Sequence, residues 1–197
     1  VSPDRIEVFP NAVDDSRFYP RQKAEMRRKL GLPENGLIIV FVGFFDENKG
    51  PYRILKAIEN RPEIKAVFLG SGPVPLQGPQ VLAARRVPQD EVPLWLSAAD
   101  MYVQPVIMEG SSNSMREATA CGLPVISSDI ATNREFLDSS HAVLVDPLDI
   151  GQLRTEIERL ADNPELRDSM SEAALAKAQQ SNITSRASRI LEWLELV

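Results

Sequence analysis

The chain has 197 residues, 43% of them hydrophobic and 25% charged, the balance of an ordinary soluble globular protein with one good core. A formal net charge of −6 argues against a broad nucleic-acid footprint, and no apolar run approaches the roughly 20 residues a membrane span needs. One Cys and one His exclude an internal disulfide, a zinc site and an obvious His-based triad, and the first residues do not read as a signal peptide.

Taken in chain order, Ile6 to Phe9 reads as a brief extended piece and Arg21 to Leu30 as a charged helix ended by Gly31 and Pro33. Leu37 to Gly43 is a near-continuous apolar run, as a buried parallel strand should be. Lys49-Gly50-Pro51 opens a helix with proline at a tolerated first-turn position, and Ile54, Leu55 and Ile58 recur on one face. Ala66 to Leu69 is the next strand, turned by Gly70-Ser-Gly-Pro73. A weaker strand is expected near Val81 to Ala84 and a helix from about Gln89 to Ala98. Asp100 to Gln104 and Leu123 to Ser127 are strands on either side of a polar segment. A last strand, Ala142 to Val145, precedes three helices at about 149–162, 164–180 and 184–196. Strand–helix alternation with tight turns predicts an α/β fold: a doubly wound, mostly parallel, Rossmann-like sheet flanked by helices. Ligands in such sheets sit beyond the carboxyl ends of the strands, where the loops after Val42, Leu69 and Val103 converge.

The polar segment, Met108-Glu-Gly-Ser-Ser-Asn-Ser-Met-Arg-Glu117, carries two carboxylates eight positions apart and leads into Ala118-Thr119-Ala120. A strand that ends in a Gly/Ser loop and restarts as a helix leaves free N–H groups at the helix start, where the dipole also favours a phosphate. A carboxylate on either side can accept from the neighbouring hydroxyls of a sugar. Together these describe a site for a nucleotide sugar. Spacing alone leaves a second reading open, a solvated loop with a capped helix, since Ser and Asn are ordinary N-cap residues. Lys49 at a helix start is unfavourable against the dipole unless an anion lies near it.

Further short motifs follow one order along the chain: Pro10-Asn-Ala-Val-Asp14; Val42-Gly43 with Lys49-Gly50; Gly70-Ser-Gly-Pro73; Arg86-Val-Pro; and Ala99-Asp100 with Pro105. After Glu109 to Glu117 come Ala120-Cys-Gly-Leu-Pro-Val125, Ser128-Asp129, Glu135 and Val145-Asp-Pro147. As an ordered set over nearly all of the chain, they resemble the C-terminal, donor-binding half of a retaining group 1 glycosyltransferase with the GT-B fold. The resemblance implies transfer of a sugar, with retention, from a nucleotide diphosphate sugar to a carbohydrate, lipid or glycoconjugate acceptor. It implies one nucleotide-sugar-binding domain over 1–197, with 1–20 arriving from the hinge and about 184–196 as the terminal helix. The acceptor-binding N-terminal domain is the missing partner, so this chain alone is expected to transfer nothing. A cytoplasmic location follows, at the inner face of a membrane where the missing domain docks there.

The resemblance also assigns roles. Glu117 corresponds to the glutamate on the donor's ribose, and Glu109 to the one facing the transferred sugar. Backbone N–H groups around Ser111, Ser112, Asn113 and Ser114 would hold the distal phosphate or the sugar. Lys49 would neutralise the departing diphosphate, Gly43 and Gly70 would lie beside the donor, and Arg86 and Val87 beside the base. Such enzymes usually work by positioning and leaving-group stabilisation without a metal or other cofactor. The family's Arg beside the first-loop glycine is here Phe44. Losing an aligned charge-assisted contact costs roughly 1.5–3 kcal/mol, about tenfold to hundredfold in affinity, unless Arg116, Arg85 or Arg53 replaces it. Ala12 and Val106 stand for Gly and Ser, and Ala131-Thr132 stands for Gly-Gly, narrowing whatever lies above it.

Other readings compete. A nicotinamide dehydrogenase would want Gly-x-Gly-x-x-Gly after its first strand, where Gly43-Phe-Phe-Asp-Glu-Asn offers one glycine. A GT-B sugar-nucleotide epimerase, or a non-catalytic or altered nucleotide-sugar-binding module favoured by Phe44, are the alternatives on the same fold. Gly70 and Gly72 serve equally as plain turn glycines. His141 reads as a surface residue, Cys121 as inert packing, and Trp95 and Trp193 as helix-face anchors.

Overall fold

The computed structural model describes residues 6–196. The strands are β1 Ile38–Val42, β2 Lys65–Leu69, β3 Val81–Arg85, β4 Met101–Gln104, β5 Val125–Ser128 and β6 Ala142–Val145. The helices are α1 Lys23–Leu30, α2 Pro51–Ile58, α3 Val92–Ala98, α4 Asn113–Ala120, α5 Ala131–Arg134, α6 Ile150–Ala161, α7 Pro164–Gln179 and α8 Ile183–Leu196. The six strands pair in parallel, in the order β3-β2-β1-β4-β5-β6.

Parallel neighbours need crossovers, and the crossovers cover both faces. Along β1 the side chains alternate accordingly: Ile38 and Val40 join one core with α1, α3 and α4 through Met26, Trp95, Leu96 and Met115. Ile39 and Phe41 join the other, with Ile54 and Ile58 of α2 and Leu153 and Ile157 of α6. The chain runs outward from β1 to β3, then returns to place β4 on the free side of β1. At that reversal α2 leaves on one face and α4 on the other, so the carboxyl ends of β1 and β4 open a crevice between them.

At the opposite edge a buried arginine ties the layers. Arg27, 4% exposed, donates from Nε to the Ala98 carbonyl at 2.9 Å and from Nη2 to Asp100 Oδ2 at 2.6 Å. The same oxygen accepts the Ile38 N–H at 2.7 Å, so one ion pair fixes α1, β1 and the start of β4 together. The helix expected from Arg21 begins at Lys23, and its charge is partly interior.

One expectation is overturned, the surface position of His141. Ile6 to Phe9 pairs with no strand, as a brief extended piece allows; an isolated bridge joins Val13 to Asn182, and Phe9 packs edge-on against Trp193 at 6.0 Å. Residues 1–5 of the segment expected to arrive from a hinge lie outside the described residues. The short helix α5 was not foreseen. His141 is fully buried, since its carbonyl accepts from Val125 and draws it into the sheet, where the ring meets Phe136 at 5.9 Å. Burial holds the imidazole below its ordinary pKa despite Asp138 at 3.3 Å. Among the described residues no helix is long and apolar enough to cross a membrane.

Candidate functional site

The loops after β1 and β2 are bound edge to edge. Gly43 N–H donates to the Leu69 carbonyl at 3.0 Å, Phe45 N–H to Ser71 at 2.9 Å, and Gly70 N–H to Arg85 at 2.9 Å. Gly70 has φ +151°, and a Cβ there would fall 1.8 Å from the Gly43 carbonyl oxygen. Glycine is needed for that approach. Together the loops form a cleft of about 300 Å³ lined by Val42, Gly43, Phe44, Gly70, Arg86, Val87 and Gln89 among others. Phe44 is 53% exposed at its rim.

A second set of contacts joins the loop before α2 to the one after β4. Ile107 N–H donates to the Asn48 carbonyl at 2.8 Å. The Asn48 side chain accepts from Met108 N–H at 2.9 Å and donates to the Met108 carbonyl at 3.0 Å. Arg53, 3% exposed, reaches the Pro105 carbonyl at 2.8 Å and the Glu47 carbonyl at 2.6 Å. On these two braced loops the Lys49 ammonium pairs directly with a carboxylate oxygen of Glu109. The anion that the position of Lys49 called for is thus, in this structure, a group of the chain itself. Thr132 Oγ1 donates to the Glu109 carbonyl at 2.8 Å, so the residue standing for a family glycine fastens this loop from the other side.

Helix α4 begins where the residue pattern placed it. Ser112 is the N-cap, its hydroxyl accepting from Met115 N–H. The N–H groups of Ser111, Asn113 and Ser114 have no hydrogen-bond partner among the described residues. Behind them stands a polar relay that the sequence reading missed. Gln104 is fully buried, donates to the Val42 carbonyl at 3.2 Å and accepts from Ser112 Oγ at 3.1 Å. The Tyr102 hydroxyl lies 2.8 Å from Ser114 Oγ. Burial raises the pKa of that phenol, and the charges of Glu117 and Glu109 raise it further, so both carboxylates bear on one point. Burial also lifts the Glu117 carboxyl above its ordinary value, opposed by Arg17 and by Gln89, whose Nε2 is 3.4 Å from Oε1. Gln89 links Glu117 to the cleft.

The structure brings Lys49 and Glu109 into contact and sets Gly43, Gly70, Arg86 and Val87 around one cleft with Glu117 beside it. Ser111 and Ser112 line a separate cavity, and the Asn113 side chain is turned outward to Asn11 at 2.9 Å. None of the arginines considered as replacements at Phe44 faces the cleft. Arg53 is committed to carbonyls, exposed Arg85 lies over Trp95, and Arg116 lines cavities that share no residue with the cleft. A polar Gln104 ending an apolar strand was the one available signal of the relay. Nothing in the sequence distinguished Asn48 from an ordinary loop residue.

Comparison with known proteins adds the following. The family model described as glycosyl transferases group 1 matches residues 22–177. The putative teichuronic acid biosynthesis glycosyltransferase TuaC of Bacillus subtilis is 31% identical over 179 residues, covering 86% of this chain and 46% of that protein. Sucrose-phosphate synthase of Thermosynechococcus elongatus superposes with TM-score 0.85 at 23% identity, covering 96% of this chain and 52% of that one. Anabaena HepE, solved in complex with UDP-glucose, gives TM-score 0.85 at 17% identity, over 97% of this chain and 57% of that one. The chain thus spans about half the length of the curated relatives it matches.

Proposed function

The chain belongs to the group 1 glycosyl transferase family, and on that footing we propose that it is the donor-binding half of a retaining enzyme that moves a sugar from a nucleotide diphosphate sugar to a carbohydrate, lipid or glycoconjugate acceptor. One observation carries this reading: the Lys49–Glu109 pair and Glu117 flank a helix start with open N–H donors, at the switch point of the sheet. In this reading the base lies by Arg86 and Val87, Glu117 accepts from the ribose hydroxyls, and the N–H groups of α4 meet the distal phosphate. Donor binding then exchanges partners. The ammonium of Lys49 turns to the diphosphate and stabilises its departure, which frees Glu109 to accept from the sugar's hydroxyls. The counter-charge comes from Lys49 and the helix amides, and no metal is invoked. The UDP-glucose complex of HepE supports a donor of this class.

Because acceptor contacts would belong to a further domain, the isolated chain is expected to bind donor and transfer nothing, with the whole enzyme working at the cytoplasmic side. Calorimetric titration with UDP-, GDP- and ADP-glucose tests the binding half of this statement. One of them should bind, and Glu117→Ala should weaken it at least about tenfold, as loss of a charge-assisted contact implies. Binding of NAD in preference to all three would overturn the reading. Phe44 at the rim favours a second reading, a module that binds the donor without using it; sugar transfer by the longer protein excludes that.

A further inference from the structure

Arg116 serves none of the roles above. It neighbours Glu117 on α4 but points to another face, is 8% exposed, and its guanidinium has neither a hydrogen-bond nor an ion-pair partner among the described residues. The other two buried arginines differ: Arg27 and Arg53 both donate to carbonyls at 2.6–3.0 Å. What Arg116 meets is the face of Phe136, with Cζ 4.1 Å from the ring centroid. The sealed side-chain polar atoms without a partner among the described residues are Trp95 Nε1, Ser128 Oγ and His141 Nε2; the Arg116 donors instead open into a cavity, where they are available to a ligand.

The head of Arg116 lines a cavity of about 200 Å³ with Asn11, Ser111, Thr132 and Glu135. Through Arg116 and Phe136 that cavity continues into another of about 220 Å³, lined also by Lys177, Arg186 and Arg189. The charged lining of the two is thus four cations against the single carboxylate of Glu135. Three of the cations are engaged: Lys177 with Asp138 at 3.3 Å, Arg189 with Glu7 at 3.9 Å, and Arg186 with the Pro10 carbonyl at 2.9 Å. Arg116 is left without a direct partner: Glu135 acts on it through space but makes no ion pair with it, and Ser111, whose N–H is free, lines the same cavity.

We propose that this cavity is an oxyanion subsite in which Arg116 receives the carboxylate or phosphate of a charged saccharide. A planar guanidinium fork matches two oxygens of either group at once. That the anion is borne by a saccharide rests on the proposed function; capture of the oxyanion rests on the cavity alone.

Amide and arginine Nε–H NMR spectra of this chain, titrated with glucuronate, glucose 6-phosphate and uncharged glucose, provide the test. At least one charged saccharide should shift Ser111, Arg116, Thr132 and Phe136 at a concentration tenfold or more below any effect of glucose, and the responder tells carboxylate from phosphate. Arg116→Gln should abolish those shifts and Arg116→Lys should restore part of them. If Arg116→Gln does not fold, the Arg116 Nε–H signal of the unaltered chain decides the matter by moving or staying fixed. Charged saccharides no more effective than glucose, or shifts that persist in Arg116→Gln, overturn the subsite. Failure of the donor reading would register elsewhere, as no response at Gly43 and Gly70 to a nucleotide sugar.

Discussion

Glu117 carries a carboxyl group into a half-buried position, and in the proposed function it accepts from both ribose hydroxyls best when ionised. Burial raises its pKa, which means that the folded chain holds the proton more firmly than the unfolded chain does. The associated stability is fully present below the ordinary carboxylate value of 4.5 and is lost as pH rises through the raised one. Glu117→Gln should therefore raise the melting temperature at pH 7, with the gain gone by about pH 4. Donor affinity should run the other way, weakening as pH falls through the raised pKa, and calorimetry across that range checks it. Both glutamates and Lys49 stand out in the sequence because chemistry limits which residue types suit a diphosphate-linked sugar, the ligand proposed for them. The direct pairing of Lys49 with Glu109 does not, since linear spacing says nothing of a contact between residues 60 positions apart.

At the scale of elements, the site depends on two loops held by groups that take no part in the chemistry. Asn48→Ala removes both side-chain bonds to Met108, about 1 kcal/mol each, while leaving the fold intact. We expect donor affinity to drop severalfold with a melting temperature only a few degrees lower. Gly70→Ala drives a methyl into the Gly43 carbonyl and should cost about 2–4 kcal/mol from overpacking and backbone strain together, read as a lower denaturation midpoint. Arg27→Ala leaves Asp100 with Lys23 at 2.7 Å and the Ile38 N–H but strips the buried cation and the donors to the Ala98, Glu34 and Gly36 carbonyls, and should cost about 3 kcal/mol without touching the cleft. The strands were legible here because parallel sheets demand continuous apolar runs, and Ala142–Val145 emerged with the expected bounds. Helix α5 was not, as four residues of Ala-Thr-Asn-Arg carry no periodicity to read. The interior role of Arg27 was hidden for a related reason: a charged residue in a charged helix looks solvated until the partner carboxylate across the sheet is known.

For the whole molecule, the order of the sheet does most to determine where chemistry can occur. With β4 returned beside β1, the loops that follow these two strands meet at one end of the sheet, where Asn48 binds Met108 and Lys49 pairs with Glu109. His141 gives a test of the packed interior away from that end, because it is the single histidine of the chain. Its lowered pKa means that the unfolded chain takes up the proton first, so stability is lost as pH falls from 6.5 towards the folded value. The lone imidazole resonance should titrate with a midpoint below 6.5, and a midpoint at or above it contradicts the packing around β6. The central claim is tested most directly by mapping amide shifts of this chain on addition of a UDP-, GDP- or ADP-sugar. The account predicts changes gathered at Gly43, Lys49, Gly70, Val87 and Ser111 to Glu117, and lost in Glu117→Ala. Shifts scattered over α6 and α8, or none with any of the three donors, would contradict it.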